Sequence, residues 1–366
     1  MPPTPHAKLV GLLRQDLRFH PSRAECFAAA VLSAVENKSV LLADMVAHLP
    51  GEAAPESKFR RFQNFFKEFN PDYTEIARSV LGILRPVTGD KPFVLALDRT
   101  NWEARENDVN LLVLSVCLGD AGQPLLWTDI RHAGNSDTGK RIRMVRRLLR
   151  LIPVDRIQCL LGDREFVGAD WFAWLLEEKI PFVMRLRENM KTTPENGKLL
   201  DAVEHFAELR PGDWKDLGVC RACGVTMGVC GVRTNKGELL VLGYSGVSGS
   251  EAKDFFMRRW NIETGFQKLK SHGFNLECSR LCGGGKFERL MAVLAVAFAW
   301  CYVMGIWSIE SGRPIRFIQR LMRRAESVFR RGRETLAGVF RKSVRHIRKA
   351  SRKAFSLLRP GNLAPL

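Results

Sequence analysis

Hydrophobic and polar positions change rhythm along this chain. Before about residue 70 the apolar residues recur every three to four positions, the spacing of helices that bury one face. That pattern predicts helices over 22–36 and 39–49, then a break at Pro50–Pro55. Ser57 stands where it would cap a third helix, KFRRFQNFFKEF. From Phe93 the pattern becomes short apolar runs, which predict strands at Phe93–Leu97, Leu111–Leu118 and a third starting at Gln123–Trp127. A helix over Ser136–Leu151, a strand at Ile157–Leu161, a helix at Asp170–Glu178 and a strand at Pro181–Leu186 follow. Gly, Val and Thr then alternate in Leu217–Val232 and again in Glu238–Tyr244, which reads as hairpins. Helical spacing resumes over Phe255–His272, and an uncharged run fills the space between Arg289 and Glu310.

Three strands, helix, strand, helix, strand is the succession of a ribonuclease H-like α/β core. The expected organisation is a helical DNA-binding domain (1–88), the core in two parts (89–186 and 251–312), a β-rich insertion between them (187–250), and a helical tail (313–366). In the first domain, the succession of helix, helix, turn and a helix carrying Arg60, Arg61 and Lys67 among Phe62, Phe65 and Phe66 resembles a helix-turn-helix unit. The plainer alternative is a small helical bundle with solvated arginines.

Charge sharpens this picture. The chain has 366 residues, with 57 basic against 39 acidic side chains and a formal charge of +18. Residues 313–366 hold 16 basic and 2 acidic side chains, so most of the excess sits in the tail. A surface that meets a polyanion is expected there. Nine scattered cysteines make no disulfide framework, and Met1–Leu13 lacks the apolar core of a secretory signal; a reducing cytoplasm is the expected home. The run from Leu290 to Ile309 is long enough to span a bilayer. Its alanines at 292, 295, 297 and 299 instead suit a helix packed inside protein, and no membrane partner is expected.

The candidate chemistry is acidic. Asp98 in LALDRTNW and Asp163 in LLGDREF each follow an apolar strand, where a carboxylate projects from the edge of the core. Further on, Phe256, Arg259, Glu263 and Lys270 are separated by three, four and seven residues and share one helical stripe. Glu263 would thereby face the strand ends, flanked by two cations. Three carboxylates can hold two hard divalent ions and leave positions open for phosphate and water. Such a pair serves in-line phosphoryl displacement. An ordinary Arg259–Glu263 pair on an amphipathic helix is the plain alternative.

These residues, LALDRTNW, LLGDREF and FFMRRWNIETGFQKLK, resemble the DDE transposases of bacterial insertion sequences. The closer likeness is to the insertion-sequence-four type, whose Tyr-x2-Arg-x3-Glu-x6-Lys signature falls on Phe256, Arg259, Glu263 and Lys270. The resemblance covers roughly residues 90–310. It implies a catalytic, metal-binding triad of Asp98, Asp163 and Glu263, with two Mg²⁺ ions (Mn²⁺ as substitute). It implies transposon-end contacts from Arg259 and Lys270, a β-rich insertion before the glutamate, DNA as partner, two protomers in the DNA complex, and a nucleoid location in a bacterial cytoplasm. Phe256 departs from the signature tyrosine and lacks its hydroxyl. Relatives use an insertion tryptophan to hold a flipped base, and Trp214 is the candidate, with a hairpin anchor as its alternative. Trp102 is expected to pack beneath the site.

Other signals are weaker. Cys220, Cys223 and Cys230 lack a clear fourth zinc ligand. Gly283–Lys286 is followed by Phe287 rather than the Ser or Thr of a P-loop, and SGVSGS (245–250) is not a nucleophile elbow. Glu165, beside Asp163, reads either as an acid supporting the site or as merely solvated, with the solvated reading favoured. The rival to the enzyme reading is a non-catalytic basic DNA-binding protein: a degenerate transposase copy, or a membrane-associated chain.

Overall fold

The computed structural model describes residues 4–104, 107–130, 132, 134–259, 274–276, 279, 281, 285–318, 323–324, 326–341 and 353–356. Five helices come first: α1 (Pro5–Asp16), α2 (Pro21–Asn37), α3 (Leu42–Val46), α4 (Pro55–Glu68) and α5 (Tyr73–Thr88). Proline fixes φ and lacks the N–H that a first helical turn leaves unpaired, so α1, α2 and α4 all begin on one. This moves the start of α4 ahead of the predicted cap: Ser57 lies inside the first turn and Ala54 occupies the cap position. Helices α1 and α5 add to the predicted pattern, capped by Thr4 and Asp72.

The sheet begins with β1 (Phe93–Ala104), β2 (Asn107–Leu118) and β3 (Ala121–Asp129), an antiparallel meander. Helix α6 (Thr138–Leu149) leads to β4 (Ile157–Gly162), which lies parallel to β1. Helix α7 (Ala169–Glu177) then leads to β5 (Phe182–Arg185), parallel to β4. The order β3-β2-β1-β4-β5 carries the predicted succession of strands and helices.

Five further strands follow: β6 (Lys191–Pro194), β7 (Leu200–Asp201), β8 (Trp214–Ala222), β9 (Val225–Arg233) and β10 (Leu239–Ser245). The 187–250 segment is hairpin-built as predicted, and it does not stand apart from the core. Strand β10 pairs antiparallel with β5, so the segment extends one mixed sheet to ten strands. Helix α8 (Gly249–Arg258) starts six residues before the predicted Phe255, because Ser248 and Glu251 form a capping box.

The apolar run forms α9 (Lys286–Glu310). By length and composition this helix could cross a membrane, but 89% of its most apolar window is buried inside the protein. It lies against β3, where Gln123 donates to Ala295 O (3.0 Å) and Trp127 Nε1 to Glu288 O (2.9 Å). Helices α2, α5 and α10 (Val328–Arg341) pack around it. Small residues set the close approach: a side chain on Gly305 would run into the Val328 carbonyl, and one on Gly332 into that of Cys301.

Part of the basic tail is thereby used internally. Arg333, 4% exposed, donates to Val35 O (3.2 Å), and Arg341 donates to Glu36 O (2.7 Å). Both satisfy carbonyls at the C-terminus of α2, where a helix leaves acceptors unpaired and favours cations.

Candidate catalytic site

Strand β1 does not end at Asp98 as its apolar run implies. It continues to Ala104 because β2 keeps pairing with it, Asp98 lying opposite Val113. The edge that matters belongs to β4. Its parallel register with β1 runs Leu95–Leu160 and Ala96–Leu161 and stops there. Asp98 and Asp163 each stand two residues beyond that last rung. Asp163 follows directly on the last residue of β4, the neighbour of β1, and its charge acts on Asp98.

The two acids share a local motif. Asp98 Oδ1 accepts from the backbone N–H of Arg99, and Asp163 Oδ1 from that of Arg164, both at 2.8 Å. The side chain of Asp98 is only 17% exposed. Burial pushes its carboxyl up to about 6, opposed by the Arg99 N–H and the Arg259 guanidinium, and reinforced by Glu165 and Asp163. Arg259 follows the last turn of α8 and holds Nη1 3.6 Å from Asp98 Oδ2. Its guanidinium lies 5.5 Å from the centre of the Phe256 ring.

Around this centre runs a polar network that the sequence pattern did not reveal. Arg99 Nε pairs with Glu165 Oε2 (3.2 Å), and Arg99 Nη1 donates to Asn110 Oδ1 (3.3 Å). Asn110 in turn donates to the carbonyls of His132 (2.7 Å) and Gly134 (3.0 Å), pinning the loop between β3 and α6. Arg141, 4% exposed, donates to Ser136 O (2.6 Å) and Glu165 O (2.9 Å). Glu165 is therefore a half-buried, paired acid and not a solvated one. Its other oxygen, Oε1, is buried without a hydrogen-bond partner. The available signal was adjacency: Arg99 follows one strand acid and Glu165 lies two past the other. Arg141 carried none, since it occupies the otherwise apolar stripe Met144, Val145 and Leu148.

The remaining predicted residues fall as follows. Glu263 and Lys270 lie outside the described residues. Phe256 is 6% exposed, packed under Arg259, so its ring faces the core. Trp214 is 41% exposed at the start of β8, with Lys253 Nζ 5.2 Å over its ring. Arg60 is exposed on α4, whereas Arg61 is tied to α2 through Glu25 and Ser22 O (3.1 Å). The three insertion cysteines are free thiols, pushed up by burial.

Among the described residues no group of three His, Cys, Asp or Glu side chains is placed to hold a metal ion. The pair Asp98 and Asp163 nevertheless fits a divalent cation. A carboxylate is held against its desolvation beside two further acids, and a buried carboxylate oxygen is left without a donor. A hard cation satisfies both conditions and restores the charged form of the acids.

No curated protein matches this chain. Among solved structures, it is similar to the piggyBac transposase in its synaptic complex with hairpin DNA. That match has 11% identity and a TM-score of 0.45, and covers 97% of this chain and 83% of the other. A family model described as the transposase DDE domain matches residues 90–300, more than half the sequence and a span that holds both strand aspartates and Arg259. The chain belongs to the DDE transposase domain family.

Proposed function

We propose that this protein is a transposase of the insertion-sequence-four type that cleaves transposon ends and joins them to target DNA. The observation that carries the reading is the position of Asp98 and Asp163, each two residues beyond the last β1–β4 rung. Asp98, Asp163 and Glu263 would hold divalent ions, Mg²⁺ or Mn²⁺, two per site. When bound, such ions activate the attacking oxygen and stabilise the leaving oxygen of an in-line displacement.

The chain's own groups do the rest. Arg259 balances the charge on Asp98 and can turn toward a phosphate that enters the site. The Arg99–Glu165–Asn110 network fixes the loop after β3 against the strand acids. Water adds to phosphorus at the transposon end, and the 3′ oxygen leaves as a free hydroxyl. That hydroxyl then attacks a phosphodiester of the target, displacing its 3′ oxygen. Two ends must be handled together, so two protomers act in the DNA complex.

The test is cleavage of DNA carrying the element's own flanking ends, with Mg²⁺ or Mn²⁺. Asp98→Asn, Asp163→Asn and Glu263→Gln are expected to lower cleavage and joining by on the order of 10³-fold while leaving end binding intact. Full strand transfer by any of the three variants would remove that residue from the site.

A further inference from the structure

Helix α6 carries a charge pattern that the catalytic reading does not use. Residues 86–312 are nearly balanced, with 30 basic and 28 acidic side chains. Yet Lys140, Arg141, Arg143, Arg146, Arg147 and Arg150 crowd into one stretch without an acid among them. Two of these turn inward: Arg141 to the Ser136 and Glu165 carbonyls, and Arg147 toward Trp127 O (3.4 Å). Arg143, Arg146 and Arg150 are exposed at positions three and four apart, a single stripe on the solvent face. Among the described residues none of the three forms a salt bridge. Arg146 instead lies over the Trp174 ring at 5.8 Å, which holds its stem on the surface of α7.

The stripe has a fixed relation to the catalytic edge. Asp129, the last residue of β3, pairs with Leu111, and Leu111 with Thr100 on the strand that carries Asp98. The N-terminus of α6 thus begins at the edge where the two aspartates stand. Asn110 and Arg141 pin the intervening loop there. From that edge the stripe runs along the body for about 10 Å between Arg143 and Arg150, at ~1.5 Å per residue. A duplex presents a phosphate every ~3.4 Å along each strand, so a run of this length meets about three of them.

We propose that Arg143, Arg146 and Arg150 form a backbone track for duplex DNA leading away from the acids. The track holds the DNA through phosphates alone and adds no sequence preference. This rests on the transposase reading for its choice of polyanion, but it is tested without catalysis.

The experiment measures binding of the purified full chain to a fluorescein-labelled, mixed-sequence duplex by anisotropy, without divalent ions, across a salt series. Three released contacts are expected to reduce the slope of log affinity against log salt by about 2.7, at ~0.9 per contact. Between about 50 and 200 mM salt, the affinity loss of R143Q/R146Q/R150Q should then be about 40-fold smaller than that of the wild type. R143K/R146K/R150K should keep the wild-type slope, because charge and not fork geometry is what the track supplies. An unchanged slope in the Gln variant overturns the proposal, as does an equal change in the control K91Q/K198Q/K236Q. Loss of binding to anionic phospholipid vesicles without a change in the DNA slope would assign the stripe to a membrane and overturn it too. Failure of the catalytic reading shows separately, as cleavage that survives Asp98→Asn with DNA binding unaltered.

Discussion

Helix α10 crosses α9 with backbone nearly touching backbone, and Gly332 sets that distance. A Cβ there would overlap the Cys301 carbonyl oxygen, and would stand 2.5 Å from Gly305 N and 2.7 Å from Cys301 C. Real Cβ contacts do not fall below 3.0 Å, and the added Cβ would stand 1.6 Å from Cys301 O, so Gly332→Ala must push the helices apart by roughly 1.4 Å. That movement loosens the stacked Phe298–Phe329 pair, whose centroids are 4.6 Å apart. It also draws the buried Arg333 away from Val35 O. Overpacking costs about 1–3 kcal/mol and loss of a hydrogen bond from a charged donor about 1.5–3 kcal/mol, together roughly 3–6 kcal/mol. At ~2.1 cal/mol/K per residue, unfolding a chain of 366 residues changes the entropy by about 0.8 kcal/mol/K. Tm should fall by about 4–8 °C. Gly338, on the same helix, has nothing within 4 Å of its added Cβ. Gly338→Ala should gain about 0.5–1 kcal/mol of helix propensity and raise Tm by about 1 °C. Calorimetric melts of both variants and the wild type, at one pH and salt, make the comparison. A Gly332→Ala protein melting within about 1 °C of wild type refutes the crossing geometry.

Three further expectations use other parts of the molecule. His6 and His48 are both held below the ordinary imidazole value of 6.5, chiefly by burial, so the folded state favours their neutral forms. The unfolded chain takes up protons first; stability should be full above about pH 6.5 and decline as pH falls toward the lowered values, with His6→Gln/His48→Gln flattening that decline in urea titrations. Glu165→Gln keeps the size of the side chain but removes the charge from the Arg99 pair; cleavage should drop about tenfold and stability by about 1–2 kcal/mol, read by single-turnover kinetics and melts. Arg61→Ala should cost roughly 1 kcal/mol of stability through its tie to Glu25 and Ser22, whereas Arg60→Ala should leave Tm alone and reduce the salt slope of DNA binding by ~0.9; identical melts for the two would contradict the assignment.

What the sequence determined by itself was whatever depends on neighbours along the chain. Strands β4 and β5, helices α6 and α7, and the hairpin character of 187–250 follow from hydrophobic periodicity alone, and so does the apolar helix α9. The two aspartates were legible for the same reason: each follows a short, mainly apolar run. Decisions that depend on distant partners needed the tertiary structure. Strand β1 outruns its apolar segment because β2 supplies hydrogen bonds past Asp98, and no local pattern encodes that partner. The insertion joins the main sheet because β10 finds the open edge of β5. Arg141 and Arg333 look solvated in sequence, but each is buried by carbonyls that only folding brings to it. Glu165 is drawn from the solvent through a contact with another element, Arg99 on β1. Local order sets which side chains project from an element; long-range pairing and packing set what they meet.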